Sequence, residues 1–177
     1  YFACDCDENV TATAANYTVN VASSAPNAVV SIKDSTLTGL CTVNVSAADA
    51  DVEVTDSTIN CNDKNTTAGE SYAALSLNKD AIGGKIEATG CTINVVTGSD
   101  SMPARNGAEN GSIIVNGSSE GVSEISAIIT YGDSPYYHGF STLEAAIAYA
   151  KAGDTVTLVR DVKADEAIVI DKAITLE

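Results

Sequence analysis

Hydrophobic and polar residues alternate along short stretches of this chain, and the stretches themselves recur. Val30 and Ile32 alternate with Ser31 and Lys33, Val52 and Val54 with Glu53 and Thr55, and Ile86 and Ala88 with Glu87 and Thr89. A period of two puts one set of side chains on one face of an extended strand and the other set on the opposite face. Short motifs return with the same alternation. Thr18-Val19-Asn20-Val21 reappears as Thr42-Val43-Asn44-Val45, and Asp34-Ser35-Thr36-Leu37 as Asp56-Ser57-Thr58-Ile59, at steps of 24 and 22 residues. A looser third copy holds Ala74-Leu75-Ser76-Leu77 and Gly90-Cys91-Thr92-Ile93.

Repeats of this length predict a β-solenoid, in which each copy is one coil that buries its apolar face by stacking on its neighbours. Aligning the copies predicts a core ladder. Val30 lies over Val52 and Ile86, Ile32 over Val54 and Ala88, and Val19 over Val43 and Leu75, with Val21, Val45 and Leu77 alongside. Neighbouring coils are expected to pair in parallel. Residues 61–72 and 97–112 read as polar corner insertions, the second containing Pro103, and a weaker fourth coil is expected through Ile113, Ile114 and Val115 to 125–130.

The pattern changes after about residue 130, giving a predicted division into coils over 1–130 and a linker, helix and short strands over 131–177. A turn-rich aromatic link, Tyr131 to Phe140, precedes the one helical pattern, expected over about 141–152. Ser141 fits an N-cap with Glu144 completing a capping box. Leu143, Ala146, Ile147 and Ala150 form its apolar stripe, and Gly153 fits the position just past its end. Thr155–Val159, Ala167–Ile170 and Ala173–Leu176 then read as short strands.

The segment Phe140-Ser-Thr-Leu-Glu-Ala-Ala-Ile-Ala-Tyr-Ala-Lys-Ala-Gly-Asp-Thr-Val-Thr-Leu-Val-Arg-Asp-Val, followed by Ile168-Val-Ile-Asp-Lys-Ala-Ile-Thr-Leu, resembles the opening of bacterial right-handed parallel β-helix proteins of the pectin-lyase-like class. The resemblance covers about the last 40 residues and implies a short helix capping a first coil. The fold class expected is therefore all-β, a right-handed parallel β-helix with one short α-helix. The order is unusual, because interior-like coils come first and a start-like cap comes last.

Composition narrows the function classes. The chain has 177 residues, a net charge of −15, 45% hydrophobic residues, 5% aromatic residues and no Trp, which suits a narrow aliphatic core. So acidic a surface repels phosphate backbones and anionic headgroups, and no apolar run approaches the roughly 18 residues of a membrane span. Neither nucleic acid nor membrane insertion is expected. The chain begins at Tyr1, which leads us to expect a processed mature protein or a segment of a longer one. Secretion or display on a bacterial cell surface fits the Thr/Ser/Asn-rich composition. Six Asn-x-Ser/Thr sequons occur, at Asn9, Asn16, Asn44, Asn65, Asn110 and Asn116.

Candidate chemistry is sparse. The resemblance implies that an active relative would carry a carboxylate cluster on a strand face, with calcium and an Arg base or an Asp pair. Asp34 and Asp56 stack in successive copies, but Gly90 takes the third position, so turn-forming corner residues are expected. Arg105 and Arg160 lie off the face that would hold a cleft. Asp5, Asp7 and Glu8 read as a solvated acidic terminus, with calcium binding by a hard oxygen cluster as the alternative. His138, Tyr136, Tyr137 and Phe140 are expected to pack, with sugar stacking by the tyrosines as the alternative. Five cysteines, Cys4, Cys6, Cys41, Cys61 and Cys91, include no Cys-x-x-Cys pair. Cys41 and Cys61 fall near one corner of successive coils, where either a disulfide or two small buried residues would fit.

These features lead us to expect no cofactor and a non-enzymatic extracellular module, a surface or fibre-forming subunit with adhesion as an accessory role. The alternative expectation is a carbohydrate-binding or carbohydrate-cleaving domain. The expected partners are copies of the same chain or flanking domains, with carbohydrate under the alternative. The expected assembly surface is the C-terminal strand region: Ala167, Ile168, Val169, Ile170, Ala173, Ile174, Thr175 and Leu176.

Overall fold

A computed structural model describes residues 11–67, 69, 72–130, 137–163 and 166–177. The calls on Asp5, Asp7, Glu8, Cys4, Cys6, Asn9 and Tyr136 lie outside the described residues. Its strands are β1 (Thr11–Thr13), β2 (Tyr17–Val21), β3 (Val29–Lys33), β4 (Thr36–Gly39), β5 (Cys41–Val45), β6 (Asp51–Thr55), β7 (Thr58–Cys61), β8 (Ala73–Leu77) and β9 (Lys85–Thr89). There follow β10 (Thr92–Asn94), β11 (Met102–Asn106), β12 (Ser112–Val115), β13 (Val122–Glu124), β14 (Ala127–Thr130), β15 (Tyr137–Phe140), α1 (Leu143–Tyr149), β16 (Thr155–Leu158) and β17 (Thr175–Leu176).

The chain is all-β with parallel sheets that it visits in rotation. The first sheet runs β1-β4-β7-β10, the second β13-β11-β8-β5-β2 and the third β12-β9-β6-β3. Every pairing within these three is parallel. The register follows from the alternation, because a one-residue slip would turn every apolar side chain outward. Val19 stands opposite Val43 and Val43 opposite Leu75. Val30, Val52 and Ile86 form one column, and Ile32, Val54 and Ala88 another. Val43, Val52, Val54, Leu75 and Ala88 are fully buried, whereas Val19, Val30 and Ile32 at the end of the stack are partly buried. A further column of Ala12, Leu37, Ile59 and Ile93 lines the first sheet.

Two corners repeat as backbone columns in the left-handed region. Asn27, Asp49, Gly83 and Asn110 mark the turn from the second sheet to the third, and Asp34, Asp56 and Gly90 the turn from the third back to the first, with Asn116 in the same place after β12, where the chain passes to β13 of the second sheet. Asn and Asp tolerate this conformation better than other side chains, and Gly best of all. Asp34 and Asp56 thus sit at corners for a backbone reason. A Cβ on Gly83 or Gly90 would collide with Oδ1 of Asp49 or Asp56 in the preceding copy, so the third copy needs glycine twice.

Two predicted elements differ. The 97–112 insertion contains β11, an interior strand of the second sheet. Pro103 is tolerated there because it is exposed and β13 pairs only with Ala104, Arg105 and Asn106. The change of character expected near 130 falls at β14, which belongs to a fourth sheet ordered β15-β14-β16-β17. Here β14 is antiparallel to both β15 and β16, while β16 and β17 are parallel.

The helix is shorter than the pattern suggested. Its N-cap is Thr142, not Ser141, and the Thr142 hydroxyl accepts a hydrogen bond from Ala145 N. Glu144 then falls one position short of a capping box and simply places negative charge in the first turn. Leu143, Ala146, Ile147 and Ala150 pack with Phe140, Ala127, Ile129 and Val156 in a second core. No basic residue occupies the last turn. Instead Lys172 Nζ donates to the carbonyls of Ile147, Ala148 and Ala150 at 2.9, 2.7 and 3.0 Å, supplying the cation the helix end favours.

The fourth sheet leans on the second. Gly139 N donates to Gly69 O, and Arg105 lies 5.9 Å from the Tyr137 ring centroid. This side of the second sheet is covered: Thr42, Asn44 and Ser76 point away from the aliphatic core yet are buried. The outer faces of the first and third sheets remain open to solvent.

Candidate functional site

The C-terminal segment is the most exposed apolar feature. Of the residues expected to form a strand at 167–170, none does, and of Ala173–Leu176 only Thr175 and Leu176 do. The side chain that follows the segment is spent elsewhere: Lys172 reaches the carbonyls at the end of α1, more than 20 residues away. Ile168 and Ile174 pack against the second core, while Val169, Ile170 and Leu176 are 78%, 46% and 43% exposed. Ala167, Ala173 and Thr175 are exposed as well. The short β17 is the outermost strand of its sheet and pairs, among the described residues, only with β16. An edge of this kind carries unpaired backbone groups beside apolar side chains. At the other end of the stack, β3 presents Val29, 67% exposed.

Cys41, Cys61 and Cys91 are free thiols, so the Cys41–Cys61 disulfide considered from sequence is not formed. Cys61 lies opposite Gly39 in the first sheet, whereas Cys41 lies opposite Tyr17 in the second. The corner between them points the two side chains to different partners: Cys61 Sγ donates to Leu40 O at 2.9 Å, and Cys41 Sγ contacts Asn44 Oδ1 at 3.9 Å. Burial pushes the Cys41 thiol up to about 11, against a smaller lowering by Arg105. Burial likewise raises Cys61 and Cys91. Thiols held neutral in this way are poor nucleophiles and metal ligands.

A groove of about 870 Å³ runs between the loop 106–111 and the stretch after β16, lined by Asn106, Glu109, Glu124, Arg160 and Asp161. Arg160 closes its floor by pairing with Glu124 and donating to Asn106 O at 3.1 Å. Arg160 therefore ties the fourth sheet to the end of the second. Arg105 is committed to the Tyr137 ring, and His138 to an edge contact with Tyr149 at 5.1 Å. These aromatics pack inside the chain. Among the described residues no cluster of His, Cys, Asp or Glu is arranged to hold a metal ion.

The sequons differ in availability. Asn44 is buried, and its amide donates to Asn20 Oδ1 and Ser46 Oγ. Asn116 uses both amide atoms on the Cys91 backbone. Asn16 and Asn110 are exposed. Buried Asn44 illustrates what a sequon alone does not say.

Two features were missed in the sequence reading. One is the Lys172 cap, which links residues more than 20 apart. The other is the outer face of the first sheet, where Thr11, Thr36, Thr58 and Thr92 form one column and Thr13, Thr38, Asn60 and Asn94 another. The recurring Ser/Cys-Thr-Ile/Leu step carried a signal for it. Among the described residues no helix is long and apolar enough to cross a membrane. Compared with protein-family models, curated proteins and solved structures, the chain matches none.

Proposed function

We propose that this chain is an extracellular, non-enzymatic β-solenoid of the right-handed parallel β-helix type, and that it assembles end to end with further copies of itself. The observation that carries the reading is the outermost edge of the fourth sheet, where Val169, Ile170 and Leu176 face solvent beside β17. Exposed strand edges with apolar neighbours are sites for strand addition. Val29 on β3 offers a second apolar end. Joining unlike ends is a heterologous contact, which grows into a filament when its rotation does not close. The regular columns of Val, Ile, Leu and Ala support a load-bearing or spacing role, since each copy contacts only its neighbours and length is added by repetition.

Sedimentation velocity over a concentration series tests the reading. The expected result is concentration-dependent growth of large species, suppressed by Ile170→Asp and by Leu176→Asp, with circular dichroism unchanged. A single monomeric boundary at all concentrations, or growth that both variants leave intact, overturns it.

A further inference from the structure

The outer face of the first sheet is periodic and uncharged. Its eight outward positions are Thr11, Thr13, Thr36, Thr38, Thr58, Asn60, Thr92 and Asn94, in two columns fixed by the pairing register. Each of them is exposed or half-buried. The chain carries 24 acidic and 9 basic residues, and none stands on this face. The fold does not impose that neutrality. The third sheet, built by the same passes, presents Asp51, Glu53, Lys85 and Glu87 outward.

The side chains are held in place as well as aligned. Asn60 Nδ2 donates to Thr38 Oγ1 at 3.1 Å, and Asn94 Nδ2 to Asn60 Oδ1 at 2.9 Å, which locks the second column. In the first column the hydroxyls of Thr36, Thr58 and Thr92 have no hydrogen-bond partner among the described residues. Threonine is stiff at χ1, so each hydroxyl and methyl group points in a set direction. Successive strands repeat about every 4.8 Å and outward residues along a strand about every 6.7 Å. Both spacings are close to the in-plane repeats of the prism face of ice. Charged groups would hold a radially ordered hydration shell in conflict with such a lattice. Hydroxyls spaced by methyls can instead anchor water in a planar array.

We propose that this face binds ice, the regular Thr columns organising surface water into a layer that merges with the crystal. The test uses the purified chain, with ice growth observed under a microscope in a nanolitre osmometer. The expected result is faceted ice crystals and a gap between melting and freezing points that widens with protein concentration. Thr58→Lys, in the middle of the first column, abolishes both effects. Glu53→Lys, on the third sheet of the same pass, preserves them. Circular dichroism checks that each variant is folded, and Thr36→Lys gives a second reading should Thr58→Lys misfold. Round, unfaceted crystals with the unaltered chain overturn the proposal. So does full activity in folded Thr58→Lys and Thr36→Lys, or binding of the face to a second copy or a neutral polysaccharide in place of ice.

Discussion

Replacing Gly90 by Ala probes the stacked corners, because two separable costs meet there. Gly90 has φ of 66°, a region in which an L side chain costs about 1–2 kcal/mol. The added Cβ also meets Oδ1 of Asp56 in the preceding copy, so that carboxylate must move. Asp56 itself has φ of 47° and is exposed, which leaves it partly free to yield; the contact therefore adds about 1 kcal/mol, in the range for neighbouring side chains. Restricting the unfolded chain returns about 0.4–1 kcal/mol. The net destabilisation is about 2 kcal/mol, or a fall in Tm of about 4–8 °C for a chain of this size. Urea denaturation of four proteins gives the answer: the unaltered chain, Gly90→Ala, Asp56→Gly, and both together. Stacking predicts that Asp56→Gly relieves about half the cost of Gly90→Ala, leaving the backbone term. A single variant within 0.5 kcal/mol of the parent, taking the usual range of surface substitutions as about ±0.5 kcal/mol, refutes the collision, and strictly additive effects refute the stacking of Asp56 on Gly90.

Three further outcomes follow from the same geometry. Val52→Asp places an unpaired charge at a fully buried rung, so loss of the cooperative unfolding transition is expected, measured by circular dichroism. Lys172→Met removes three carbonyl contacts from the end of α1 and should cost about 1–2 kcal/mol, read as earlier amide exchange in residues 143–150 than in β5. The thiol of Cys41 is raised in the fold from 9.0 to about 11, so its contribution is intact below pH 9 and is lost as pH climbs through 11. A shift of that size is worth about 3 kcal/mol. Thermal melts between pH 8 and 11 should therefore show a steeper alkaline decline in the parent than in Cys41→Ala.

The repeating part of the fold was legible because its code is local. Period-two alternation gave the strands, and recurrence gave the partners, so the Val30–Val52–Ile86 and Val19–Val43–Leu75 columns could be written down from residue types alone. The corners were legible for a similar reason, since Asp34, Asp56 and Gly90 align at one step and share a preference for the left-handed region. What escaped the sequence depends on contacts between distant segments. Pro103 argued against a strand, yet its missing N–H is harmless where the neighbouring strand β13 is too short to need it. Ser141 and Thr142 are equally good caps by type, and it is the Thr142 hydroxyl that takes the Ala145 N–H. The strand expected at 167–170 has good propensity, but propensity does not report the contact by which Lys172 joins the end of α1. For Cys41 and Cys61 sequence spacing left a disulfide and two small buried residues both open, and the sheet each one joins decides for the buried thiols.

The outer surfaces were harder to read than the core. Outward residues have no packing constraint, so a Thr column looks like ordinary strand composition until the register aligns Thr36, Thr58 and Thr92. Val169, Ile170 and Leu176, expected at an assembly surface, are exposed, but the first two lie outside a strand, which composition alone does not show.

The central claim is that these copies stack along one axis and that the stack continues from one chain to the next. Cryo-electron microscopy of the purified chain at high concentration tests it directly. The account predicts unbranched filaments whose averaged images show a repeat of about 4.8 Å along the filament axis, the spacing of paired strands. Dispersed single particles, or filaments with strands running along the axis and no such repeat, would contradict it.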